Sequence, residues 1–88
     1  MEILYVLSFS LSQMLKMNDA QALGLFSLAI KDASKKMGAL SYNDCREVIQ
    51  GPLKSRLEKL NTPNVDKVIA ELLKVLAQKQ SLFVVAAR

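Results

Sequence analysis

Apolar residues recur along the chain with a helical period, in four segments divided by polar and turn-forming residues. The first segment runs from about Glu2 to Met17. On a helical wheel Ile3, Leu4, Leu7, Leu11, Met14 and Leu15 gather on one arc, with Ser8, Ser12, Gln13 and Lys16 opposite. Tyr5 and Phe9 sit among these polar residues, four apart, so both faces carry bulk. Serines are tolerable in a buried helix because their hydroxyls bond back to a carbonyl one turn earlier.

The second segment starts at Asn18 or Asp19, residue types that suit an N-cap and first turn. Its stripe is Ala22, Leu23, Phe26, Ala29, Ile30, Ala33 and Met37, and Lys35, Lys36 and Gly38 mark an end near Met37. The alanines permit close approach of another helix. Leu25 and Leu28 fall off this stripe, on the side of Gln21, Asp32 and Lys35.

A capping box opens the third segment, with Ser41 at the cap and Asp44 three residues on. Tyr42, Cys45, Ile49, Leu53, Leu57 and Leu60 form one narrow stripe. Gly51-Pro52 interrupts it, and proline removes a backbone donor and clashes with the preceding turn. Because the stripe keeps its register across the interruption, the pattern predicts a kink. In the fourth segment Thr62 reads as N-cap with Pro63 at the first helical position. Val65, Val68, Ile69, Leu72, Val75 and Leu76 face the core, while Lys67, Glu71, Lys74 and Gln78 face water.

Residues 81–88, Ser-Leu-Phe-Val-Val-Ala-Ala-Arg, read in two ways. As a helix, Phe83, Ala86 and Ala87 extend the fourth stripe and Val85 points outward. As a strand, both faces are apolar, and the partner would be the Ile3–Phe9 run or another molecule. The helical reading is preferred. The expected fold is therefore all-α: a single domain over residues 1–88, a small bundle of four main helices with the third kinked at Gly51-Pro52, and an ordered C-terminal extension.

Composition sharpens this picture. Of 88 residues, 51% are apolar. A chain of this size folds with a surface of roughly 5,200 Å², against about 14,000 Å² when extended, so most of the globule is surface. One small interior does not hide that many large apolar side chains. The excess points to a partner, a membrane or self-association, and it argues against disorder.

Candidate chemistry is sparse. With no histidine and one cysteine, the chain cannot by itself build a Cys/His zinc site, a disulfide framework or a Ser–His or Cys–His nucleophile. Cys45 reads as a small hydrophobe. Gly24, Gly38 and Gly51 are isolated, so no glycine-rich phosphate loop exists. Asp19, Asp44 and Asp66 lie in first turns, where capping and the helix dipole account for them. The expectation is a protein that is not an enzyme and takes no cofactor and no metal.

The net charge is +4, and residues 45–88 carry all of that surplus. Arg46, Lys54, Arg56 and Lys59 are the candidate phosphate contacts. Aromatic residues make up only 6%, which leaves no stacking platform, and Gly51-Pro52 spoils the best recognition helix. Arg56 falls within the apolar arc between Ile49 and Leu53, so it either runs its stem past the core or pairs with an acid on a partner. Glu2 stands where a secretory signal has basic residues, and no run reaches 18 apolar residues; a cytoplasmic location without a membrane span is expected.

These readings converge on a non-catalytic helical protein–protein interaction module, self-associating or serving as a small accessory subunit. Its interface would draw on Tyr5, Phe9, Leu25, Leu28, Phe83 and Val85. The alternative is a small basic accessory protein that contacts nucleic acid through its C-terminal half.

Overall fold

The computed structural model describes residues 2–80; the C-terminal extension, with Phe83 and Val85, lies outside the described residues. The chain forms helices α1 (Glu2–Leu15), α2 (Asp19–Asp32), α3 (Tyr42–Val48), α4 (Lys54–Lys59) and α5 (Val65–Gln78). A π-helical turn, Ile49–Leu53, joins α3 and α4 into one kinked helix, so the fold is a bundle of four main helices. A short 3₁₀ turn, Met37–Ala39, lies between α2 and α3.

Capping residues set several boundaries. Asn18 caps α2 through its side chain, which accepts from the Gln21 N–H at 2.8 Å, while the Gln21 side chain accepts from the Asn18 N–H at 3.2 Å. The same reciprocal pattern joins Ser41 and Asp44 at the start of α3, at 3.1 and 3.0 Å, as the sequence predicts.

Two boundaries differ from expectation. Helix α2 stops at Asp32 instead of continuing to Met37. Ser34 adopts the left-handed conformation (φ 58°), and the N–H groups of Ser34 and Lys35 donate to the Lys31 and Ile30 carbonyls. This Schellman closure ends the helix before Gly38 is reached. Helix α5 starts at Val65 behind Asn64, not behind Thr62. Asn61 is left-handed, and the Asn61 and Thr62 N–H groups donate back to Glu58 and Leu57. Thr62 therefore belongs to the closure of α4. The same turn carries Leu60 off the helix, and Leu60 is 59% exposed instead of completing the third stripe.

The π turn explains how the third stripe survives proline. In an α-helix the Pro52 ring would press on the carbonyl of Val48; a wider turn relieves that contact. It also corrects a drift. Cys45, Ile49, Leu53 and Leu57 recur every four residues, and each such step advances about 40° around an ideal α-helix. The wide turn takes part of that rotation back, and all four remain buried.

Around this stripe Leu7 and Leu11 of α1, Phe26 and Ile30 of α2, and Leu72 and Leu76 of α5 complete the core. The C-terminal end of α1 lies beside the N-terminal end of α5, where Met14 and Leu15 meet Pro63 and Val68. Helix α1 thus runs between α2 and α5. This placement corrects the first wheel: Ser8 and Ser12, assigned to the wet side, are buried because α2 covers that flank. Leu40, which no stripe had claimed, is buried as well.

Candidate interaction surface

Between Glu2 and Lys16 the chain carries no charged residue. A helix lying on the surface of a small domain normally turns a charged face to water. Helix α1 instead presents Tyr5, 62% exposed, and Phe9, 55% exposed, one turn apart. Beside this aromatic ridge, α1 and α2 enclose a groove of about 330 Å³ lined by Tyr5, Ser8, Phe9, Asp19, Ala20 and Leu23.

The groove's depth follows from small residues. Ser8 and Ser12 on α1 face the start of α2, where Ala20 and Ala22 lie. The Ser12 hydroxyl sits 2.7 Å from the Phe9 carbonyl and 2.8 Å from Asp19 Oδ1, so its proton is shared between two acceptors and ties the two helices together. Ser8 is 3% exposed, and its hydroxyl has no hydrogen-bond partner among the described residues. Leaving a buried hydroxyl unpaired costs about 1–3 kcal/mol. The expected bond back to a carbonyl one turn earlier is made by Ser12 to Phe9 and, on α2, by Ser27 to Leu23 at 2.8 Å, but not by Ser8.

The other proposed contacts divide. Leu28 stands on the outer side of α2, 46% exposed, whereas Leu25 is partly buried against the core. The sequence did not mark Ser8, Asp19, Ala20 or Leu23 as contact residues. The repeat of small residues at Ser8 and Ser12, one turn apart, is the signal that marks a close helix contact there.

Two of the four basic residues have acid partners within the chain. Arg56 makes two hydrogen bonds to Asp32, from Nε to Oδ2 at 2.7 Å and from Nη2 to Oδ1 at 3.0 Å. Its acid is thus supplied by the chain itself. The Arg56 hydrogen bond holds the Asp32 carboxyl below the usual carboxylate range, and Lys59 and Lys31 add to the effect. Lys54 pairs with exposed Asp66 at 3.2 Å. Arg46 and Lys59 remain exposed.

The remaining features offer little chemistry. Cys45 lines an apolar cavity of about 10 Å³ between Phe26, Ile30, Leu40 and Val48, at the lower limit of the space one water needs. Burial pushes its thiol up to about 11, with the charge of Asp44 contributing. An open groove between α1 and α5, lined in part by Met14, Lys16, Lys67 and Glu71, sets two cations beside one acid. Among the described residues there is no cluster of three or more side chains able to hold a metal ion, and no helix is long and apolar enough to cross a membrane.

No protein-family model matches the chain, and no curated protein or solved structure shows significant similarity to it.

Proposed function

We propose that this protein is a non-catalytic helical docking module, acting through self-association or as a small subunit of a larger complex, and that its partner-facing surface is the outer side of α1 and α2. One observation carries the reading: a surface helix with no charged residue between Glu2 and Lys16 exposes Tyr5 and Phe9 directly beside a groove whose buried Ser8 hydroxyl is unpaired. Contiguous apolar surface of this kind, rimmed by polar residues, is characteristic of interaction sites. Leu28 is a further exposed large apolar residue, on α2.

The test compares the wild-type chain with Phe9→Ser as bait in the same cell extract, with bound proteins, including further copies of the chain, identified by mass spectrometry. The reading expects proteins held by the wild type and lost with Phe9→Ser. Identical capture by both baits overturns it.

Contact with nucleic acid through Arg46, Lys54, Arg56 and Lys59 is the second reading. Its support is the charge surplus of residues 45–88. It requires an affinity for DNA or RNA that falls steeply with added salt.

A further inference from the structure

We infer that the junction of α2 with α4, where Lys31, Arg56 and Lys59 gather around Asp32, is a phosphate-contacting surface whose ligand is the sugar–phosphate backbone of a nucleic acid. The inference rests on the second reading above and names the surface through which it acts.

The fold sorts the cations that the sequence groups together. Along α4, Arg56 and Lys59 stand three residues apart and share one flank, because positions three or four apart are neighbours on a helix. Lys54 and Glu58, four apart, share the opposite flank. There Lys54 pairs with Asp66 at the start of α5, and Glu58, Asp66 and Lys67 line one open groove. That flank holds as many acids as cations and has no charge to offer.

The other flank gains a cation instead. Asp32, at the end of α2, accepts from Arg56 at 2.7 and 3.0 Å, and Lys59 and Lys31 are near enough for their charges to act on the same carboxyl. Three cations from two helices thus share one acid, which leaves the patch positive. Among the described residues neither Lys31 nor Lys59 enters a salt bridge, and both are exposed, as is Asp32. Asp32 occupies two N–H donors of the Arg56 guanidinium, and the remaining donors of the fork are left over. Lys31 lies in the half of the chain whose charges balance, so a count along the sequence passes over it.

The composition of the patch selects the ligand. Protein interfaces deplete lysine and place aromatic and apolar residues at their centres. Here two lysines and an arginine surround a carboxylate. Phosphate oxygens take contacts from Lys and Arg, and a nucleic acid presents phosphates densely enough to meet several cations at once. Helix α4 has no aromatic residue and the one on α2, Phe26, is buried, so no base stacks on this surface. The contact is to the backbone and is indifferent to sequence. With so few phosphates engaged, binding is weak, with a dissociation constant on the order of 10⁻⁴ M.

Fluorescence anisotropy of labelled duplex DNA and of single-stranded RNA, titrated with the full chain at a series of salt concentrations, tests this. The expected result is an affinity that falls with added salt, with a logarithmic slope of roughly −3 on duplex DNA for three phosphates. Lys31→Gln and Lys59→Gln should each reduce the slope by about one and weaken binding about threefold. Lys54→Gln removes the same charge from the balanced flank and should change little. Asp32→Asn should tighten binding about threefold, and more than Asp66→Asn, which removes an equal charge from the other flank. Circular dichroism under the assay conditions confirms that each variant is folded. Equal effects of Lys59→Gln and Lys54→Gln overturn the inference. Binding that survives Lys31→Gln and Lys59→Gln but is lost with Lys54→Gln or Arg46→Gln overturns it too, and leaves the nucleic-acid reading standing. Equal affinity for poly-glutamate overturns the ligand assigned. Absence of salt-dependent binding to both nucleic acids removes the inference and the reading together.

Discussion

Arg56 and Asp32, 24 positions apart, are joined by two hydrogen bonds that fasten the end of α2 to α4. The pair is partly open to solvent, so its contribution is screened by salt. The sign of its pH dependence follows from Asp32, whose folded carboxyl lies below its ordinary value of 3.8. A depressed carboxyl contributes stability above its unfolded value, and that contribution disappears as pH falls through the folded one. Asp32→Asn should therefore lower the urea midpoint at pH 6. The gap to the wild type should shrink in about 1 M salt and close as pH falls through the folded value of Asp32, below 3.8. Asp44, held low first by the Ser41 N–H and then by Lys35, moves in the same direction, so the wild type itself weakens in acid.

Gly24 lies inside α2, and a methyl group built on it meets no atom within 4 Å. Glycine at an interior helix position costs about 1 kcal/mol relative to alanine, through the entropy of the unfolded chain. Gly24→Ala should stabilise the fold by about 0.5–1 kcal/mol in denaturant titrations.

Among the described residues no glycine has a positive φ, yet Lys16, Ser34 and Asn61 do, each one or two residues past the end of a helix. A residue with a Cβ pays about 1–2 kcal/mol for this conformation, with asparagine the best tolerated. Ser34→Gly and Lys16→Gly should each raise stability by about 1 kcal/mol, and Asn61→Gly by less. Thermal unfolding of the three single variants measures the order.

The Cys45 thiol is 3% exposed and titrates near 11. Reagents that attack thiolates should leave it unmodified in the native protein at pH 8, with labelling that follows the rate of unfolding. Cys45→Ser should destabilise by about 1–3 kcal/mol, because it buries a hydroxyl in an apolar cavity. Stopped-flow labelling and chemical denaturation check the two halves of this expectation.

The strength of each sequence signal depended on how local its physics is. The caps at Asn18 and Ser41 were legible because they are settled within four residues. The stripe through Cys45, Ile49, Leu53 and Leu57 was legible because one buried face enforces it. The ends of α2 and α4 were not. Gly38 and Thr62 carried the right residue types, but backbone closures at Ser34 and Asn61 used positions without a glycine to announce them. Exposure of Tyr5 and Phe9 could be read from their place opposite the main stripe. The groove beside them could not. It depends on α2 covering Ser8 and Ser12, a tertiary choice that one helical wheel does not contain.

The wide turn at Ile49–Leu53 also determines where the chain tolerates a change in length. A π turn holds one residue more than an α-helix needs, without altering the faces of the helix on either side. Without exposed Gln50, and with Pro52→Ala to restore the backbone donor, the apolar spacing becomes four, three and four, the natural rhythm of an α-helix. Leu57 then stays in the core and Arg56 stays within reach of Asp32. A single deletion in α3 or α4 proper instead turns everything beyond it by about 100°, carrying Leu57 into water. Length is thus negotiable within these five positions and fixed on either side of them.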